Sequence, residues 1–244
     1  MVSKTCIDLF AGRGGFSSAF HDHPDWNVVT VDINPDHNPD ICADIRDLDA
    51  SDDRLPNDPD VILASPPCTE FSKAAAWKQP FNDDGDPVTD AARDAFVTAM
   101  HCVGLIHGLN PEYYVIENPE ASRLQHALGP PDARITYCQY GTPYRKATWF
   151  WGELPRVDWQ YCPPGGDCHD GGSLTDDTDD RPLPRDPAAR AEIPTGVSAA
   201  LRRGIDEHHE QQELTAWQPT HRDQHRLAQP TGNTYPSTPT PEPT

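Results

Sequence analysis

Cys68 closes the run Asp60-Val-Ile-Leu-Ala-Ser-Pro-Pro-Cys68. A short apolar run stopped by Pro-Pro reads as a buried strand that ends in a rigid loop. In an open α/β sheet, ligands bind outside the carboxyl ends of the strands. A thiol delivered there can serve as a nucleophile, provided that a positive neighbourhood lowers its pKa. Upstream, Asp8-Leu-Phe-Ala-Gly-Arg-Gly-Gly15 reads as a strand end followed by a glycine turn. Gly12, Gly14 and Gly15 let the backbone approach a cofactor, and the helix start that follows adds partial positive charge. Asp32 ends a second apolar run, where an acid can hydrogen-bond a ribose hydroxyl or simply cap the strand. Asp44 supplies a further acid, and the glycine spacing differs from the dinucleotide fingerprint.

These groups need a scaffold, and the chain supplies its elements in alternation. Residues 4–9, 27–33 and 60–64 read as strands, with a helix over 16–22 and an apolar island at 42–45. The loop from 68 to about 87 carries Phe71, Lys73, Trp77, Lys78 and Phe81. Residues 89–109 form the clearest helix, with Thr89 as N-cap and Ala92, Phe96, Met100 and Val103 at helical spacing. Residues 113–117 read as a strand stopped by Asn118-Pro119, and 134–139 and 148–151 as a final strand pair. The alternation predicts an α/β, Rossmann-like, doubly wound and mostly parallel sheet. The expected organisation is a catalytic domain over 1–152, a reduced insert over 153–190, a helix returning to that domain over 191–206, and a polar tail over 207–244, read as disordered.

Composition narrows the classes. The formal net charge is −20, from 39 Asp and Glu against 19 Lys and Arg, and only four residues are Lys. Six Trp and several strand-like runs oppose a disordered acidic chain. An Asp-rich, Lys-poor globular chain is similar to proteins of salt-accumulating halophiles. At molar salt the Debye length is about 3 Å, so acidity does not exclude nucleic acid, but binding must rest on close contacts. No apolar run approaches a membrane span, and no export signal is visible, so the seven cysteines read as thiols of a reducing cytoplasm.

Four motifs then occur in order: Asp8-Leu-Phe-Ala-Gly-Arg-Gly-Gly15, Ser65-Pro-Pro-Cys-Thr69, Glu117-Asn-Pro119 and Tyr140-Gly-Thr-Pro-Tyr-Arg-Lys146. Together they resemble the ordered motifs of DNA cytosine-5 methyltransferases, in the short, divergent form carried by phages and archaeal viruses. Arg190-Ala-Glu-Ile-Pro194 and the following helix resemble the late motif that packs beside the cofactor. The resemblance implies S-adenosylmethionine as methyl donor and DNA as partner, with restriction-modification as a natural setting. It implies that Cys68 adds to cytosine C6, Glu117 assists at N3, and Arg145, or Lys146 in its place, holds the base. The target base would leave the duplex to reach Cys68. The donor would lie along Asp8, Phe10, Ala11, Gly12, Gly14 and Gly15, with its ribose on Asp32 and Ile33, its adenine near Asp44 and Ile45, and Pro66 alongside. Lys73, Lys78, Trp77 and Phe71 suit a loop closing over nucleic acid.

The chain departs from the family pattern at Thr69 and Pro119, and between Trp151 and Arg190, where only 38 residues stand in place of a recognition domain. So short a segment can read few base edges. Other readings of the same residues are an exocyclic-amine methyltransferase, which needs neither thiol nor Glu117, cytosine-5 methylation of RNA or a free pyrimidine nucleotide, and a weakened binding module. Cys138, Cys162, Cys168 and His169 are weak candidates for a structural zinc site, with Cys138 expected in strand core.

Overall fold

A computed structural model describes residues 3–166, 168 and 186–216. Its elements are β1 (Lys4–Leu9), α1 (Ser18–His21), β2 (Trp26–Asp32), β3 (Ile41–Cys42), β4 (Val61–Ala64), α2 (Asp90–Leu109), β5 (Tyr113–Pro119), α3 (Gln125–Leu128), β6 (Ala133–Thr136), β7 (Ala147–Trp151), α4 (Pro187–Ala191) and α5 (Thr195–Ala216). The strands form one sheet in the order β3-β2-β1-β4-β5-β7-β6. Neighbouring strands from β3 to β5 run parallel, while β7 is antiparallel to both β5 and β6. The strand order reverses between β1 and β4, the topological switch point at which such sheets bind ligands.

Both faces of the sheet are buried, which explains why its central strands are apolar runs rather than alternating ones. Cys6, Val61, Leu63 and Val115 point into one core with Phe16, Phe20, Val197 and Leu201. Ile7, Leu9, Ile62, Ala64 and Ile116 point to the other, against Cys102, Leu105, Ile106 and Leu109 of α2. Thr89 caps α2 as its spacing predicts, its hydroxyl accepting from the Ala92 N–H at 3.1 Å. The helix ends at Asn110, which takes a left-handed conformation with φ +51°.

Three boundaries differ from the sequence expectation. β5 continues to Pro119, because a proline at the last position of a strand forfeits no interior ladder bond, and Pro119 pairs with Thr148 of β7. The strand expected over 134–139 stops at Thr136 and turns into a 3-10 helix over Tyr137–Tyr140. Cys138 therefore lies in a turn and is part-exposed, not in strand core. The returning helix expected over 191–206 instead starts after Pro194 and runs to Ala216. The chain divides into two units, residues 1–206 and 207–244. In the second, 207–216 is helical and Leu214 is exposed, which corrects the expectation of disorder from 207 onward. Its remainder lies outside the described residues, as does His169.

Candidate active site

The glycine turn is built at the carboxyl end of β1. Phe10 holds φ +62°, a strained conformation for a bulky side chain, and Gly12 and Gly14 hold +54° and +77°. Surrounding bonds enforce the turn. Ala11 N–H donates to Val31 O at 3.0 Å, Gly14 N–H to Ala11 O at 2.8 Å, and Ser65 Oγ to Phe10 O at 3.2 Å. Asp32 contributes through its side chain: Oδ2 accepts from Gly12 N–H at 2.7 Å and Oδ1 from Asn34 N–H at 2.8 Å. Beneath the turn, Asp8 is fully buried and its Oδ2 accepts from Ser17 Oγ at 2.6 Å. Burial pushes its carboxyl up to about 7, with hydrogen bonds from Ser17 opposing and the nearby Asp32 charge adding to the rise.

Cys68 stands in the loop after β4 and Glu117 near the carboxyl end of the adjacent strand β5, and they line one cavity of about 220 Å³ with Gly12, Gly15, Pro66 and Lys146. Asn118 of β5 ties the loop after β4 to that strand. Its amide donates to Pro66 O at 2.9 Å, and Ser122 Oγ donates to its carbonyl at 2.8 Å. The buried Glu117 carboxylate accepts from Tyr137 Oη at 3.1 Å and faces Lys146 Nζ at 3.8 Å. Lys146 Nζ also donates to Tyr137 Oη at 3.3 Å and lies 4.5 Å from the centre of that ring. Cys68 does not have the lowered pKa that a nucleophile was expected to show. Burial pushes its thiol up, the Glu117 charge pushes it further, and Lys146 only partly opposes them.

Of the two basic candidates, Lys146 reaches this cavity and Arg145 turns away. The buried Arg145 guanidinium donates from Nε to Cys162 O at 2.9 Å and from an Nη to Tyr161 Oη at 3.0 Å. Residues 145 and 146 immediately precede β7 at successive positions, and Lys146 faces Glu117 while Arg145 faces Cys162. The return segment closes the cavity from the far side, where Ala191, Glu192 and Ile193 line it. A Cβ on Gly15 would sit 2.4 Å from Ile193 O, so glycine is required for that close approach.

A second cavity of about 170 Å³ shares Phe10 and Pro67 with the first and is lined by Asp32, Ile33, Asp44 and Ile45. Asp44 accepts from Arg46 N–H and from its guanidinium, which pulls the carboxyl down to about 2. Ile33 is 66% exposed, an apolar surface beside that cavity. In the loop after Cys68, Trp77 is 81% exposed, whereas Phe71 is buried and stacked on Phe81 at 5.4 Å. Phe71 is thus a packing residue for that loop and not a surface for bases. Lys78 pairs with Glu70 at 2.9 Å.

Sequence reasoning passed over Tyr137, Asn118 and His37. Asn118 stood inside a quoted motif, but Tyr137 gave no signal beyond an apolar run. His37 lines the Cys68 cavity, and its Nδ1 lies 3.2 Å from Asp32 Oδ1 without hydrogen-bond geometry.

A mostly parallel sheet with this strand order, a glycine turn at its switch point and a terminal antiparallel pair fit an α/β, Rossmann-like methyltransferase fold. A family model described as C-5 cytosine-specific DNA methylase matches residues 4–123, which include Cys68 and Glu117. A relative from Frog virus 3 (isolate Goorha), "Probable DNA (cytosine-5)-methyltransferase", is 28% identical over 61% of this chain and 70% of its own length. "Type II methyltransferase M1.HphI" of Haemophilus parahaemolyticus is 30% identical over 55% of this chain, which spans 37% of that protein. Among solved structures, the Entamoeba histolytica methyltransferase EhMeth aligns over 66% of this chain and 57% of its own, at 13% identity and a TM-score of 0.46. Residues 4–123 are thus similar to the C-5 cytosine-specific DNA methylase family, and the relatives matched carry DNA cytosine-5 or type II methyltransferase names.

Proposed function

We propose that the protein transfers a methyl group from S-adenosylmethionine to C5 of cytosine in DNA, with Cys68 as nucleophile. The observation that carries this reading is the shared cavity in which Cys68, Glu117 and Lys146 meet the glycine turn. The residues present fit the methyl donor. A carboxylate has about four lone-pair sites, and Asp32 uses two on backbone N–H groups, which leaves acceptors for a ribose diol. Two cavities joined at Phe10 and Pro67 offer one compartment near Asp44 and Ile33 and another beside Cys68. The orphaned His37 ring nitrogen and the Gly12–Gly15 backbone supply polar contacts for the amino-acid end. Bound there, the donor supplies an electrophilic methyl group.

The chain's own residues prepare the base. Cys68 Sγ loses its proton to solvent and bonds to C6. The C5–C6 π pair shifts to C4–C5, the C4–N3 π pair moves onto N3, and N3 takes a proton from Glu117, which has picked one up from solvent as the base binds. C5 is then electron-rich and takes up the methyl group. Loss of the C5 proton restores the ring double bond as the Sγ–C6 bond breaks, and N3 returns its proton to Glu117. Tyr137 and Lys146 hold the Glu117 carboxyl in place through this cycle. The raised thiol pKa means that Cys68 rests protonated, so the reactive thiolate forms with substrate bound rather than in the empty site. Trp77 stands ready as an exposed stacking face for an extruded base or its neighbours.

The test is methyl transfer from labelled donor to DNA at molar KCl, with nucleoside analysis of the product and a Cys68→Ser control. Cysteine-dependent 5-methylcytosine is the expected outcome. A product methylated on an exocyclic amine, formed without Cys68, overturns the reading. A product on RNA or on free nucleotides alone would retain the chemistry and change the substrate.

A further inference from the structure

We propose that Cys138, Cys162 and Cys168 form a binding site for one thiophilic divalent cation, zinc by preference. The three sulfur atoms all lie within 4.8 Å of one another, and those of Cys138 and Cys168 are 3.5 Å apart. Three thiolates on a tetrahedral zinc, at about 2.3 Å from the metal, stand about 3.8 Å from each other. The observed arrangement needs movements of an ångström or less to reach that geometry. The cluster is not an ordinary piece of core, because Cys168 is exposed and Cys138 is part-exposed.

The chain is shaped locally to bring these sulfurs together. Cys138 stands on the 3-10 turn after β6, and Cys162 is anchored beside it by its N–H, which donates to Thr136 Oγ1 at 2.8 Å. The run Cys162-Pro-Pro-Gly-Gly166 then turns back, with Gly166 N–H donating to Pro163 O at 3.1 Å and Gly165 at φ +80°. A Cβ on Gly166 would come within 2.5 Å of Cys162 Sγ, so a glycine is needed where the backbone passes that sulfur. This turn delivers Cys168 to the pair. The three residues leave the fourth tetrahedral position to water or a further donor.

The position gives the metal a purpose. Residues 152–166 contain neither helix nor strand and cannot bury a core of their own. A cation would pin this segment to the turn that carries Tyr137, the partner of Glu117. It would also fix the Cys162 carbonyl that holds Arg145. The site thus fastens the shortened recognition segment to the wall of the catalytic cavity.

The experiment uses the reduced 244-residue chain. Zinc content is measured by plasma mass spectrometry, and Co²⁺ is titrated into the metal-stripped chain while the near-ultraviolet thiolate-to-cobalt band is followed. One equivalent of metal and an intense band are expected. Both should be lost in Cys138→Ser and in Cys168→Ser and kept in Cys42→Ser. Because Cys138 and Cys168 are not fully buried, their variants decide the matter even if Cys162→Ser fails to fold. A reduced chain without the band, a band surviving either variant, or a Cys138–Cys168 disulfide with no bound metal would overturn the proposal. None of these readouts depends on methyl transfer, so the site stands or falls separately from the proposed activity.

Discussion

Replacing Lys146 by Met and Glu117 by Gln, singly and together, probes the charge arrangement around Cys68. Lys146 Nζ and Glu117 Oε1 are 3.8 Å apart, and both side chains are almost wholly buried. At an effective dielectric of about 20 such a pair attracts by about 4 kcal/mol. Lys146→Met leaves a buried carboxylate that keeps its hydrogen bond from Tyr137 but no cation beside it among the described residues, and breaking a buried pair in this way costs about 3–5 kcal/mol. Glu117→Gln leaves the Lys146 charge equally buried beside Tyr137 and should cost a similar amount. The double variant removes both charges, so the two effects should not add. Urea unfolding at molar KCl is the first assay, since buried pairs are little screened by salt. A coupling of about 2 kcal/mol or more is expected, well above the roughly 0.5 kcal/mol within which independent sites add. Alkylation of Cys68 against pH, followed on its own peptide, is the second assay. Its midpoint should lie above the ordinary cysteine range, fall in Glu117→Gln and rise in Lys146→Met. Additive stabilities, or thiol midpoints that move together in both variants, would refute the reasoning.

Three further outcomes are expected. Tyr137→Phe removes the hydroxyl that bonds Glu117; bonds to charged groups contribute about 1.5–3 kcal/mol, so kcat for methyl transfer should fall between about 10- and 150-fold with the fold intact. Asp8 keeps its proton in the fold up to about pH 7 but loses it near pH 4 when unfolded. Stability should therefore drop as pH rises from about 4 to about 7. Asp8→Asn should lack that slope, and unfolding at pH 4 and pH 8 should show it gaining up to about 4 kcal/mol relative to the parent at the higher pH only. Gly15→Ala places a Cβ against Ile193 O and should cost about 1–3 kcal/mol while raising KM for the methyl donor, as thermal unfolding and saturation kinetics would show.

Much of this protein was legible in its chain because the signals were local. The apolar run before Cys68, the glycine turn after β1, Asp32 at the end of β2 and the Thr89 cap each depend on residues close in sequence, and periodicity and turn chemistry report such features directly. The order of the motifs also carried the family, because the switch point follows from strand order and needs no side-chain contact.

Side-chain direction and electrostatic balance were decided by tertiary structure. Adjacent basic residues read alike in sequence, yet the start of β7 sends Lys146 to Glu117 and Arg145 to the Cys162 carbonyl. The thiol was expected to be activated by positive charge. Burial and a neighbouring carboxylate instead hold its proton, a sum over burial and groups distant in the chain, Glu117 and Lys146. Cys138 looked like strand interior until the chain bent at Thr136 and turned it toward Cys162 and Cys168. Local motifs and apolar patterning set which chemical groups the candidate site holds and the sheet that carries them. Only the packed chain decided which of those groups meet and what charge each feels, because distances across strands and the loss of water on burial are properties of no single segment.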